Sequence, residues 1–252
     1  MTQTGNEKFL ADAWRTRDAL YQELFGPHTY CLPKLYAPPA APAPGFALAV
    51  DGHPSEGTFA SAMSQQKITV LSYAPAENRP YWMYLTAGLS NPWFQDHPDE
   101  VSGFGCELMI KCNKDSRWPV RMLKRLSYYI LSYSGTLSPG VILSMESPLT
   151  VNNKASLNNI FVWYADEAPD CWYQLPSGGF GIFCTIGITE DECRFAESID
   201  EYGTWCIQQV LRQTGTAQVT DPERSSVMEK EGIGSILQSV RAYAENFRLI
   251  SH

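Results

Sequence analysis

SGFGCELMIKC, residues Ser102 to Cys112, places two glycines and one carboxylate in an otherwise apolar, β-prone run. Phe104, Cys106, Leu108, Ile110 and Cys112 alternate with Gly105, Glu107, Met109 and Lys111. A strand sends successive side chains to opposite faces, so this spacing predicts a strand. Glu107 then stands off the core face beside Gly105, whose missing side chain lets a neighbouring backbone or a bound partner come close. A catalytic acid or a phosphate cradle is the competing reading of the same residues. The glycine pair leads into a strand, whereas a dinucleotide-binding loop leads out of one into a helix, so the dinucleotide reading fails on context.

Outward from this run the pattern stays mainly β. Further strands are expected at FALAV (46–50), ITVLSYA (68–74), YWMYLTAG (81–88), VILSM (141–145), IFVWYAD (160–166) and GFGIFCTIGIT (179–189), the last as a central strand. Helices punctuate them. NEKFLADAWRTRDALYQELFG carries an apolar stripe through Trp14 and stops at Gly26 and Pro27, and WPVRMLKRLSYYILSYSG opens with Pro119 in its first turn. TEDECRFAESIDEYGTWCIQQVLRQTG begins with Thr189 and Glu192 at capping-box spacing, and a last stripe runs from Ile236 to Phe247. Long helices packed on a mixed or antiparallel sheet give an α+β fold. We expect one domain over residues 46–252, with residues 1–45, an amphipathic helix and the spacer APPAAPAPG, packed on it.

The chain has 252 residues, 44% of them hydrophobic and 18% charged, which is ordinary for a globular protein. No apolar run approaches the ~20 residues that span a bilayer, and MTQTGNEKF lacks the order of a signal peptide, so a cytoplasmic protein without membrane association is expected. A net charge of −8 argues against nucleic acid as partner and favours a basic protein. The seven cysteines contain no CxxC pair, which reads as structural thiols without a metal site or disulfide framework. No cofactor is called for by any motif.

An ordered set of motifs stands out: GLS (Gly88 to Ser90), SGFGCEL (Ser102 to Leu108), WP (Trp118, Pro119) opening a helix, SPL (Ser147 to Leu149) and TEDE (Thr189 to Glu192) after a strand. In this order they resemble the Suppressor of fused domain family over roughly Tyr81 to Thr220. The resemblance implies an α+β domain that binds protein partners and has no known catalytic activity. Family members that clamp a peptide of Gli-type transcription factors use a second, C-terminal domain, and this chain has length for the first alone. The resemblance places partner-contacting positions on Tyr129, Leu137 and Val141. Val141 departs from the aspartate of Gli-binding members, so Gli-type binding is not expected. Single-domain members resemble the bacterial ones, which are associated with immunity to polymorphic toxins.

The rival is a hydrolase or transferase. His97 with Cys106 would be its nucleophilic pair, and Asp166 with Glu167, or Glu190 to Glu192, its carboxylates. The blander account of each is a polar turn, an apolar strand position, a solvated loop and a helix cap. No catalytic or metal-binding residue is therefore assigned. Aromatics beside acidic loops are expected to be exposed and are the better candidates for partner binding: Trp93 and Phe94 before Asp96, Asp99 and Glu100, and Trp172 and Tyr173 after Asp170. Glu107 joins them as a structural or partner-facing carboxylate.

Overall fold

The computed structural model describes residues 3–32, 68–93, 95–133, 137–145, 149 and 157–250. The FALAV strand, the proline spacer and Phe94 lie outside them. The described residues form a mixed sheet and five α-helices, an α+β fold divided into two compact units. Residues 1–138 and 164–184 make the first unit, and residues 139–163 and 185–252 the second.

In the first unit the strands are β1 (Tyr30–Leu32), β2 (Thr69–Tyr73), β3 (Trp82–Ala87), β4 (Val101–Cys112), β7 (Tyr173–Leu175) and the start of β8 (Gly178–Thr189). Their order is β1-β2-β3-β4-β8, with β7 also on β8. Neighbours from β1 to β4 are antiparallel, whereas β4 and β8 run parallel. Helix α2 (Trp118–Tyr133) packs on β2, β3 and β4, burying Met122, Leu123, Leu126 and Ile130 at helical spacing. Helix α1 (Gln3–Phe25) lays Tyr21 and Phe25 inward, where the Tyr21 hydroxyl donates to the Thr86 carbonyl and Phe25 meets Tyr73 edge-on.

β4 is buried along almost its whole length on both faces. That corrects the expectation that Glu107 stands off the core, because α2 is not the only cover: the chain from Gly88 to Asn91 folds over the other side. The two glycines make this possible. Gly103 and Gly105 sit at φ +58° and +67°, at a bulge between Val101 and Cys106, and a Cβ on Gly103 would stand 2.3 Å from the Asn91 carbonyl oxygen.

In the second unit β5 (Ile142–Ser144) pairs antiparallel with β6 (Leu157–Tyr164), and the order is β8-β6-β5. The stretch expected as one helix from Thr189 is two, α3 (Glu190–Glu197) and α4 (Gly203–Gln213). The break is steric and local. Ser198 caps α3 by donating its hydroxyl to the Phe195 carbonyl, and the chain returns so closely that a Cβ on Gly203 would lie 1.8 Å from the Ala196 oxygen. A 3-10 turn (Val227–Glu229) and α5 (Ile233–Ile250) complete the unit, with Tyr243 of α5 stacked on Trp205 of α4 at 5.1 Å.

Candidate functional site

The Glu107 side chain is fully buried and accepts four hydrogen bonds. Oε1 takes the backbone N–H groups of Gly88 and Ser90, each at 2.9 Å, and the Ser90 hydroxyl at 2.7 Å. Oε2 takes the Thr86 hydroxyl at 2.5 Å, and Thr86 Oγ1 in turn accepts the Leu108 N–H at 2.8 Å. Buried Arg17 lies in the same field: burial lowers its guanidinium, but neighbouring charges including Glu107 outweigh that and hold it above its ordinary value. Arg17 Nη1 donates to Asn91 Oδ1 at 2.5 Å. The carboxylate thus fixes the GLS turn onto the SGFGCEL strand, and two of the motifs are one piece of structure.

From this turn the chain enters the acidic loop 95–100, which is tied down at both ends. Gln95 Nε2 donates to the Val101 and Ser177 carbonyls at 3.0 and 3.1 Å, its Oε1 accepts the Gly103 N–H at 2.9 Å, and the Asp99 N–H reaches the Ser177 carbonyl at 3.1 Å. Asp96, Asp99 and Glu100 are exposed. His97 donates to Asp96 and holds that carboxyl below its usual range.

The aromatic candidates separate. Trp93 is half-buried: it stands edge-on to Trp14 of α1 at 6.1 Å, and its indole N–H donates to the Gly88 carbonyl at 2.6 Å. Tyr173 is buried on β7 against Phe180, so neither is exposed as the sequence suggested. Trp172, by contrast, is 47% exposed. Of the positions carried by family resemblance, Tyr129 and Leu137 are buried in the first unit. Val141, in the second, is half-buried and its carbonyl accepts the Val162 N–H at 2.9 Å.

The second unit holds a counterpart that sequence reasoning reached only in part. Thr189 and Glu192 form the expected capping box at the start of α3. The Glu192 carboxylate is also fully buried and accepts Arg224 Nη1 at 2.5 Å, Arg224 Nη2 at 2.6 Å and the Val227 N–H at 2.8 Å. Beside it Asp191 accepts the Ser226 hydroxyl at 2.6 Å. Partial burial raises the Asp191 carboxyl, and hydrogen bonds from Ser226, Thr189 and the backbone outweigh this and hold it below the usual range. Arg224 lay in a run without periodicity, and nothing local marked it.

Cys106 does not suit a nucleophile, because burial pushes its thiol well above the ordinary value, whereas an attacking thiolate needs the opposite shift. Burial likewise pushes the Cys184 and Cys193 thiols to about 12. Glu167 is committed to an ion pair with buried Lys111 and accepts the Tyr81 hydroxyl. Among the described residues no group of three or more His, Cys, Asp or Glu side chains is placed to hold a metal ion, and no helix is long and apolar enough to cross a membrane.

Residues 64–225 match the family profile described as Suppressor of fused protein (SUFU). No curated protein matches the sequence. Among solved structures the chain is similar to Drosophila Suppressor of Fused, with 19% identity and a TM-score of 0.57, covering 71% of this chain and 46% of that one. It is also similar to a chain of the Sufu-Fu complex (20% identity, TM-score 0.56, 69% of this chain and 81% of that one). A putative SUFU homolog from Neisseria gonorrhoeae FA 1090 is similar over 88% of this chain and 100% of its own, at 15% identity and a TM-score of 0.55. At these identities the likeness is one of fold, and the chain spans less than half the length of the Drosophila protein.

Proposed function

The chain belongs to the Suppressor of fused family, and from that membership we propose that it is a non-catalytic protein-binding module which neutralises a basic protein partner by occlusion, as an immunity protein does a toxin domain. The observation that carries this reading is the acidic loop 95–100: three exposed carboxylates on a backbone pinned at both ends. A loop already ordered loses little freedom on binding, and its charge speeds encounter with a basic surface and disfavours acidic ones. Binding by a family member is supported by the Sufu-Fu complex, in which a related chain is one component. With Val141 where an aspartate would be needed, a Gli-type peptide is not the partner we propose. The cytoplasm is the compartment in which such a module would meet a toxin domain that has entered the cell.

Co-expression tests the reading. The C-terminal domain of a toxin-like protein encoded beside this chain should arrest growth of a bacterial host when expressed alone. This chain should restore growth and co-elute with that domain. Growth arrest that persists, or two separate elution peaks, would overturn the proposal.

A further inference from the structure

We propose that Trp172 is the anchor of that interface: the open face of its indole, beside Asp99, Glu100 and Asp170, takes an arginine or lysine side chain from a basic segment of the partner protein. The inference rests on the protein-binding reading and adds a residue and a ligand chemistry to it.

The ring is seated on the sheet without being buried. Its underside lies on backbone that only glycine leaves bare. A Cβ on Gly179 of β8 would come 1.7 Å from Trp172 Nε1, and one on Gly105 of β4 would come 3.6 Å from its Cη2. The next residues, Tyr173 to Leu175, pair with Phe180 to Gly178, so β7 fixes where the ring falls. The Tyr173 hydroxyl accepts the Asp170 N–H at 3.2 Å and closes the short turn that carries Trp172. Val101, 39% exposed, extends the apolar surface at the ring's edge, where both side chains approach Gly105.

Charge selects the occupant. Residues 95–110 and 164–184, to which every residue named at this patch belongs, contain no lysine and no arginine. Asp99, Glu100 and Asp170 are all exposed. The Gly179 N–H donates to the Glu100 carbonyl at 2.9 Å, and the Asp99 carbonyl lies 2.6 Å from where a Gly178 Cβ would be, so loop 95–100 runs alongside the glycines under Trp172. A guanidinium that stacks on an indole and reaches a carboxylate gains from both, and an acidic or phosphorylated ligand loses on both. Trp93, the other aromatic beside this loop, is engaged with Trp14 and Gly88.

The probe is an (Arg-Ser)4 peptide amide titrated into the full chain at low salt, with (Glu-Ser)4 as control, observed by NMR of the seven indole N–H signals. The arginine peptide should move the Trp172 signal, assigned with Trp172→Phe, and the glutamate peptide should not. Trp172→Leu keeps an apolar cover over the glycines while removing the π face, and should weaken peptide binding ~10-fold. The triple variant Asp99→Asn, Glu100→Gln, Asp170→Asn leaves the ring in place and should weaken it ~3-fold or more and flatten its salt dependence. Peptide binding that leaves the Trp172 signal unmoved, or an affinity unchanged by Trp172→Leu, overturns the anchor. If the Trp172→Leu chain also holds the co-expressed toxin domain with undiminished affinity, the anchor falls and the protein-binding reading stands. A wild-type chain that forms no complex overturns that reading and the anchor's role in it.

Discussion

Glu107 and Glu192 are both fully buried, and each ties a regular element to a distant stretch of chain, yet the donors around them differ in kind. Glu107 is met by two backbone N–H groups and two hydroxyls, all neutral. Glu192 is met by the two terminal nitrogens of a guanidinium and by the backbone N–H groups of Thr189 and Val227. Hydroxyls can turn, and backbone N–H groups and a guanidinium cannot offer an acceptor. The first clamp can therefore adapt to a neutral side chain of the same shape. The second is closed to one, because both of its carboxylate oxygens face a charged donor and a backbone donor.

Glu192→Gln should have the largest effect. Whichever way the amide is placed, its NH2 group faces Arg224 and a backbone N–H, and the guanidinium loses its anion. Removing one partner of a buried ion pair costs about 3–5 kcal/mol. Urea unfolding should register that loss, and amide exchange should lose protection at Val227 first, since its N–H is a direct ligand of the clamp. A Glu192→Gln chain as stable as wild type would remove the distinction between the two sites.

Glu107→Gln should cost less, about 1 kcal/mol, the scale of one hydrogen bond made worse. With the amide oxygen in the Oε1 position, the Gly88, Ser90 N–H and Ser90 hydroxyl contacts survive, and the new NH2 donates to Thr86 Oγ1, whose own proton must find another acceptor. The same unfolding measurement, run beside Glu192→Gln, ranks the two. Equal losses would mean that the Glu107 charge, and not its acceptor geometry, holds the GLS turn.

What the sequence made legible follows the same division. The capping box was readable because its residues stand three apart, within one helical turn, whereas Arg224 lies 32 positions on in a run without period. β4 announced itself by alternation, but its second cover did not, since the turn that buries Glu107 is 17 to 19 residues upstream and is held by backbone groups that every sequence possesses. The motif set did carry a trace of it, because GLS and SGFGCEL are the two halves of that contact. β1 and β7, three residues each, are too short for a period to appear. Trp93 and Trp172 stood in similar sequence settings beside acidic loops. Their different exposure comes from Trp14 of α1, which covers one, and from Gly179 and Gly105, which seat the other.

Acid provides the mildest way to probe the comparison, since Asp191 stands next to the Glu192 clamp and Glu107 has no acidic sequence neighbour. Hydrogen bonds from Ser226, Thr189 and the Glu192 N–H hold the folded Asp191 carboxyl below its unfolded value. A depressed carboxyl stabilises the fold in full above the unfolded value, near pH 4, and that contribution fades as pH falls through the lower folded value. Asp191 is exposed, so solvent screening limits the contribution to at most about 1 kcal/mol. Asp191→Asn should thus be less stable than wild type at pH 7, with the gap narrowing below pH ~4 and closing once both chains are neutral at this position. Exchange protection at Val227 and at Ser90 separates the clamps. The variant should lose protection at Val227 and leave Ser90 unchanged at pH 7, because Asp191 bonds to Ser226, the residue before Val227, whereas Ser90 donates to Glu107. An Asp191→Asn gap that stays constant from pH 7 to pH 2 would mean that the side chain acts by shape alone and that its charge contributes nothing.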